Sequence, residues 1–165
     1  KTAYEIVSRD WSSDVCSSDL YAGNQAATSV RTMGNGGGSA WGSGKYIFTT
    51  YSGVGYKYQF NWWNYSSGTT DALVSTSASN TSTWTHIAIT RSGNVFRMFV
   101  NGVQESTVTS STSVDNGTAS QIRVGASGIS GDTEWAGYID DLRITKGLAR
   151  YTANFIPPSV ALPRQ

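Results

Sequence analysis

At 165 residues and 17.7 kDa the chain is long enough for one domain with a real core and too short for two ordinary ones. Charged residues make up only 14%, aromatics reach 12%, and glycine (18) and Ser/Thr are abundant. A net charge of +1 without a basic run argues against nucleic acid or an anionic membrane as partner, and no apolar run approaches the about 18 residues of a membrane helix. The composition predicts an all-β module of extracellular type.

Residues 1–20, KTAYEIVSRDWSSDVCSSDL, fit nothing that follows. They hold the only cysteine, Cys16, and four acids (Glu5, Asp10, Asp14, Asp19) against two bases (Lys1, Arg9). The segment resembles a translated sequencing-library adapter. Asp14–Leu20 back-translates as GAC GTG TGC TCT TCC GAT CT, an adapter end whose incomplete last codon still specifies Leu. A secretory leader is the weaker reading, because no basic start precedes an apolar core. The expectation is therefore a non-native segment at 1–20, a sandwich domain at 21–158 and a tail at 159–165. After Leu20 there is no cysteine, and ten basic residues against seven acidic ones give +3. A chain cut in this way is expected to lack N-terminal strands.

Along the rest of the chain, 27–33 alternates weakly and GNGGG at 34–38 marks a turn. YIFTTY (46–51) and YKYQFNWW (56–63) read as strands. In the second, Tyr56, Tyr58, Phe60 and Trp62 share one face and Lys57, Gln59 and Asn61 the other. A short strand at 72–75 and a polar turn at 77–82 follow. WTHIAITR (84–91) and VFRMFV (95–100) form the clearest pair, joined through Ser92–Gly93–Asn94. Asn101–Gly102 then predicts a two-residue hairpin into 103–108. The last strands are expected at 121–125 and 138–145, with a bulge near Asp140–Asp141 because Ile139 and Leu142 are out of phase. Residues 148–151 suggest one helical turn, and Pro157–Pro158 ends regular structure. Strands about ten residues apart without helical periodicity indicate a sandwich or barrel.

The order WTHIAITR, FVNG (99–102), IRVG (122–125), GYIDDLRIT (137–145) and GLARYTxxFxPP (147–158) resembles the laminin-G/concanavalin-like family, in the form common in phage tail and bacterial surface proteins. The resemblance implies an all-β, two-sheet antiparallel jelly-roll sandwich that binds glycans or proteins, often with calcium at the rim. It also implies early strands paired inside the sheets. No segment in 21–45 matches them, so a truncated domain with an unpaired sheet edge is expected.

Trp84, Ile87, Ile89, Phe96, Met98, Val100, Ile122, Val124, Ile139, Leu142 and Ile144 read as core. His86, the only histidine, lacks a second ligand for a transition metal and reads as a hydrogen-bonded strand residue. Trp63, Tyr65 and Asn64, with Trp41, are the candidate carbohydrate-binding residues. Flat rings stack on the apolar face of a pyranose while amides bond its hydroxyls. Trp135 is a weaker candidate. Asp115 and Asp132, with Asp71 nearby in kind, are the candidate calcium carboxylates, although no calcium-loop motif is present. Asp140, Asp141 and Arg143 read as bulge support or an ion pair, and Arg150 and Tyr151 as pins for the C-terminal segment.

An enzyme is not expected. Related glucanases carry paired carboxylates on one strand, whereas Glu105 and Glu134, the only glutamates after residue 20, head no such run. No G-x-S-x-G elbow or P-loop is present. The expected function is a non-catalytic carbohydrate-binding or adhesion module of a larger phage-tail or cell-surface protein. Its partners would be a surface polysaccharide and other domains of the parent, with homo-oligomers formed through the parent fibre and a location outside the cell or on a virion. The alternatives are a structural or protein-interaction domain of a fibre, and a truncated glucanase-like hydrolase.

Overall fold

The computed structural model describes residues 13–22, 29–34, 46–51, 55–64, 69–112, 114, 123–125 and 135–159. Within them run β1 (Ser13–Ala22), β2 (Ser29–Gly34), β3 (Tyr46–Tyr51), β4 (Lys57–Asn64) and β5 (Thr69–Ala78). These are followed by β6 (Trp84–Ser92), β7 (Val95–Val100), β8 (Val103–Thr109), β9 (Arg123–Val124) and β10 (Gly137–Lys146). Two five-stranded sheets form, in the orders β10-β1-β6-β7-β8 and β5-β4-β3-β2-β9, with every pair of neighbours antiparallel. The expected two-layer antiparallel sandwich is what the chain adopts.

Period-two alternation decides what lies between the sheets. From β4, Tyr58, Phe60 and Trp62 are buried, and from β3, Tyr46 and Phe48. The facing sheet contributes Leu20, Ile87, Ile89, Phe96, Met98 and Val100. Trp62 stacks on Phe96 with ring centroids 4.2 Å apart and planes 16° off parallel, joining the layers directly. Ile139, Leu142 and Ile144 pack partly buried against this core, and Ile122 lies outside the described residues. Two expected core residues face elsewhere. Trp84 is 49% exposed, because Ile87 and Ile89 point inward and alternation puts position 84 on the opposite face. Val124 is 48% exposed on the two-residue edge strand β9.

The predicted turns take the expected form. Asn101 and Gly102 have φ of 48° and 79°, both left-handed as a type I′ hairpin requires. On β10, Asp140 pairs with Asp19 and Arg143 with Ser17, so the strand bulges between them. Asp141 there has φ 47°, and its N–H donates to Asp140 Oδ1 at 2.8 Å. The helical turn expected at 148–151 is irregular chain instead. Thr90 Oγ1 donates to the Tyr151 carbonyl (2.9 Å), and Tyr151 stacks on Phe155 at 3.6 Å. An opened-out segment reaches across the sheet where a helical turn would not. Tyr151 thus pins the C-terminal segment as expected, while Arg150 Nε reaches only Thr145 Oγ1 (3.3 Å).

The interior position expected to be empty is taken by β1, which pairs with β6 on one side and β10 on the other. Ser13–Leu20, the described part of the adapter-like segment, supplies most of it. Its inward side chains include Leu20, 1% exposed, and the small Ser18. At the far edge β8 bulges opposite Met98–Phe99, and its side chains lace it to β5 of the other sheet. Ser77 N–H and Oγ donate to the two carboxylate oxygens of Glu105 at 2.8 and 2.6 Å. Val74 N–H donates to Ser106 Oγ at 3.3 Å, and Ser110 Oγ to Asp71 Oδ2 at 2.6 Å.

Trp62→Ala is expected to destabilise the fold by about 3–5 kcal/mol in denaturant titrations. Trp62→Phe should lose far less, because it keeps the stack and removes an indole N–H that has no hydrogen-bond partner among the described residues. A Cβ on Gly102 would run into the Phe155 carbonyl at positive φ, whereas one on Gly147 meets nothing within 4 Å. Gly102→Ala should therefore cost more than about 2 kcal/mol and Gly147→Ala about 1 kcal/mol, read as a thermal shift of about 2–4 °C per kcal/mol.

Candidate glycan-binding face

The two outer faces of the sandwich differ. Over the β6–β7 face the C-terminal segment packs Phe155 against Phe99 (5.4 Å) and edge-on against His86 (5.6 Å). Phe99 is fully buried beneath it. On the outer face of β3–β4–β5, Lys57, Gln59 and Asn61 form the row that alternates with the buried Tyr58, Phe60 and Trp62. All three are half-buried, and their side chains make no hydrogen bond to the described residues. Gln59 lies between Thr49, which is buried, and Val74, and Asn61 lies between Ile47 and Ala72. Neutral amides each offer donors and an acceptor, the inventory that sugar hydroxyls match.

Trp63 holds the next position of this outer row, in register with Thr70, and Asn64 follows opposite Thr69. Their side chains, and Tyr65 and Trp41 entirely, lie outside what is described, as do Asp115, Asp132 and Glu134. Trp135 is not a ligand platform. It is 9% exposed, its N–H donates to the Gly125 carbonyl (2.8 Å) and Nε1 to the Tyr138 carbonyl (3.3 Å), and it closes the entry to β10. Asp71 accepts its bond from Ser110 and so serves the sheet edge. Among the described residues no group of three or more His, Cys, Asp or Glu side chains could hold a metal ion. Period two on β4 reveals the amide row in the sequence; that the C-terminal segment covers the opposite face does not show there, because Tyr151 and Phe155 lie far along the chain from the strands they cover.

His86 is a buried strand residue, as expected, but bonds through its main chain: its N–H donates to Asn101 Oδ1 (2.9 Å) and its carbonyl accepts from Asn101 N–H (2.8 Å). The ring's Nδ1 has no hydrogen-bond partner among the described residues. Burial holds its pKa below the ordinary 6.5, partly opposed by Asp19 beside it. Asp19 is pushed above its ordinary value by burial, against the pull of His86 and with the push of Asp141 and Asp140.

A match to the family model of the concanavalin A-like lectin/glucanases covers residues 20–149. The chain belongs to that superfamily. Its fold is similar to the CBM40 module of Ruminococcus gnavus IT-sialidase bound to α2,3-sialyllactose, with TM-score 0.64, 11% identity, and coverage of 82% of this chain and 76% of that one. Mouse laminin α1 domains LG4-5 give 0.58, 13%, 85% and 37%. Domain 4 of the Geobacillus stearothermophilus arabinanase AbnA, in complex with arabinotriose, gives 0.55, 18%, 87% and 64%. This superfamily member therefore spans little more than a third of the laminin chain it matches. No curated protein matches it by sequence.

The buried imidazole makes stability pH-dependent. Above about pH 6.5 the ring is neutral folded or unfolded and its contribution is complete. As pH falls below that, the unfolded chain takes up a proton first and stability declines toward the lower folded pKa. Asp19 acts oppositely, its contribution being present below its unfolded value and lost as pH rises through its raised folded one. The urea midpoint should therefore fall between pH 7 and 5.5, and His86→Asn should flatten that slope.

Proposed function

We propose that this chain is a non-catalytic carbohydrate-binding module, acting outside the cell or on a virion as one part of a larger tail-fibre or surface protein. The observation that carries this reading is the outward row of β4, in which the half-buried Gln59 and Asn61 amides are unspent among the described residues and Trp63 comes next. Amides beside an aromatic position supply both halves of sugar recognition, hydroxyl bonding and ring stacking. The family and its solved relatives, among them proteins crystallised with oligosaccharides, support the same ligand class. Trp41 and Tyr65 are proposed to extend the platform. Binding at one such site is weak, and copies on an oligomeric parent strengthen it.

The glucanase alternative finds less support in the carboxylates. Glu105 is held by Ser77, and Asp140 accepts from Asp141 N–H. Neither lies in the amide row, and Asp140 stands beside Asp19 and Asp141 on the opposite face.

Oligosaccharide titrations followed by NMR are expected to shift the side-chain amide signals of Gln59 and Asn61. The Gln59→Ala/Asn61→Ala double variant should weaken that binding at least about tenfold with Tm unchanged. Unmoved amide signals across a broad sugar panel would remove this reading. Calcium enters the proposal only through Asp115 and Asp132. If they hold it, excess EDTA lowers Tm and Asp115→Asn/Asp132→Asn abolishes the difference.

A further inference from the structure

On the face opposite the amide row, three aromatic residues line up across three strands. Tyr21 of β1 is in register with Trp84 of β6 on one side and Tyr138 of β10 on the other. Leu20 and Ala22 point into the core, so alternation turns Tyr21 and its partners outward. Tyr21 lies 5.5 Å from Trp84 and 5.7 Å from Tyr138 between ring centroids, with interplanar angles of 56° and 54°. Trp84 is 49% exposed and Tyr138 68% exposed. The described part of the C-terminal segment packs instead on Phe99 and His86. Large rings left in water side by side are unusual on a folded surface and mark a contact site.

The row beside the aromatics on the same face is acidic. Asp19 pairs with Asp140 and with His86, two positions along each strand from Tyr21, Tyr138 and Trp84. Asp140 is exposed, Asp141 is half-buried at the bulge, and Arg143 pairs with Ser17 further along β10. His86 is mostly uncharged at neutral pH, since burial holds its pKa down. Carboxylates accept hydrogen bonds from sugar hydroxyls and repel anionic groups.

We propose that Tyr138, Tyr21 and Trp84 form a second glycan platform, which takes a neutral oligosaccharide laid across the strands and disfavours sialylated or uronic sugars. The rings supply stacking surfaces on adjacent strands about 4.8 Å apart, so a chain crossing the strands can meet more than one ring. Asp140 and Asp19 provide acceptors for hydroxyls at its edge. The site shares its ligand class with the amide face but none of its residues. With both occupied, one module can bridge two polysaccharide chains.

The test is an NMR titration of the full chain with cellohexaose, xylohexaose and mannohexaose, with α2,3-sialyllactose and choline chloride as comparisons. The indole N–H signal of Trp84 is assigned from Trp84→Phe. A neutral hexaose is expected to shift that signal, and sialyllactose is not. Trp84→Ala should weaken this binding about tenfold and Tyr138→Ala about threefold, with the circular dichroism spectrum unchanged and only a small loss of Tm, because Tyr138 is largely and Trp84 half in water. Gln59→Ala/Asn61→Ala should leave the Trp84 shift intact. No shift with any hexaose, undiminished binding in both aromatic variants, or tighter binding of sialyllactose at Trp84 overturns the proposal. A shift with choline alone also overturns it, in favour of a cation site. Because Trp84 and the Gln59/Asn61 amides report separately, failure here is distinct from failure of the amide face.

Discussion

The stack of Trp62 on Phe96 is the contact around which the two sheets are organised. Once Trp62 faces inward on β4, a strand's period of two sends Tyr58 and Phe60 inward with it and leaves Lys57, Gln59 and Asn61 outside. Phe96 does the same on β7, drawing in Met98 and Val100 and turning Phe99 out. Burial of so many large rings drives the layers together at about 25 cal/mol per Å² of apolar surface, and leaves little freedom of register. The amide face and the aromatic row are both consequences of that phase.

The two outer faces then diverge because only one receives the C-terminal segment. Tyr151 and Phe155 stack on each other and meet Phe99 edge-on, and the Tyr151 carbonyl is held by Thr90. Gly102 permits the close passage, since a side chain there would collide with the Phe155 carbonyl. The same covering encloses His86, whose Nδ1 is a buried polar atom without a hydrogen-bond partner among the described residues. Sealing this part of the sheet thus builds a pH-dependent weakness into the fold.

The central strand β1 shows how little a strand's pairing asks of its side chains. Ser13–Leu20 reads as adapter-like and has no hydrophobic alternation to announce a core strand, yet it pairs on both sides through main-chain groups. Among its described side chains, Leu20, Ala22 and the small Ser18 are buried. Backbone hydrogen bonding is indifferent to the origin of a sequence, and an interior position flanked by β6 and β10 is where such bonding is most available.

Much of this was legible in the sequence. The sandwich, the Asn101–Gly102 hairpin, the bulge at Asp141 and the inward phase of Tyr58, Phe60 and Trp62 follow from local patterns: turn chemistry, φ preference and alternation within one strand. The amides of β4 were legible as an outward row for the same reason. Trp84's outward phase was legible in the same way, but its aromatic neighbours, the burial of Trp135 and the enclosure of His86 were not, because each depends on segments distant in the chain. Trp84 meets Tyr21 and Tyr138 only after β1 inserts between β6 and β10, and Trp135 finds its acceptor only where the chain turns into β10. Sequence by itself determined which residues alternate and where the chain turns, since those are short-range steric and hydrogen-bonding preferences. Tertiary structure alone decided which face is covered and which rings stand in water, because burial depends on what else packs there.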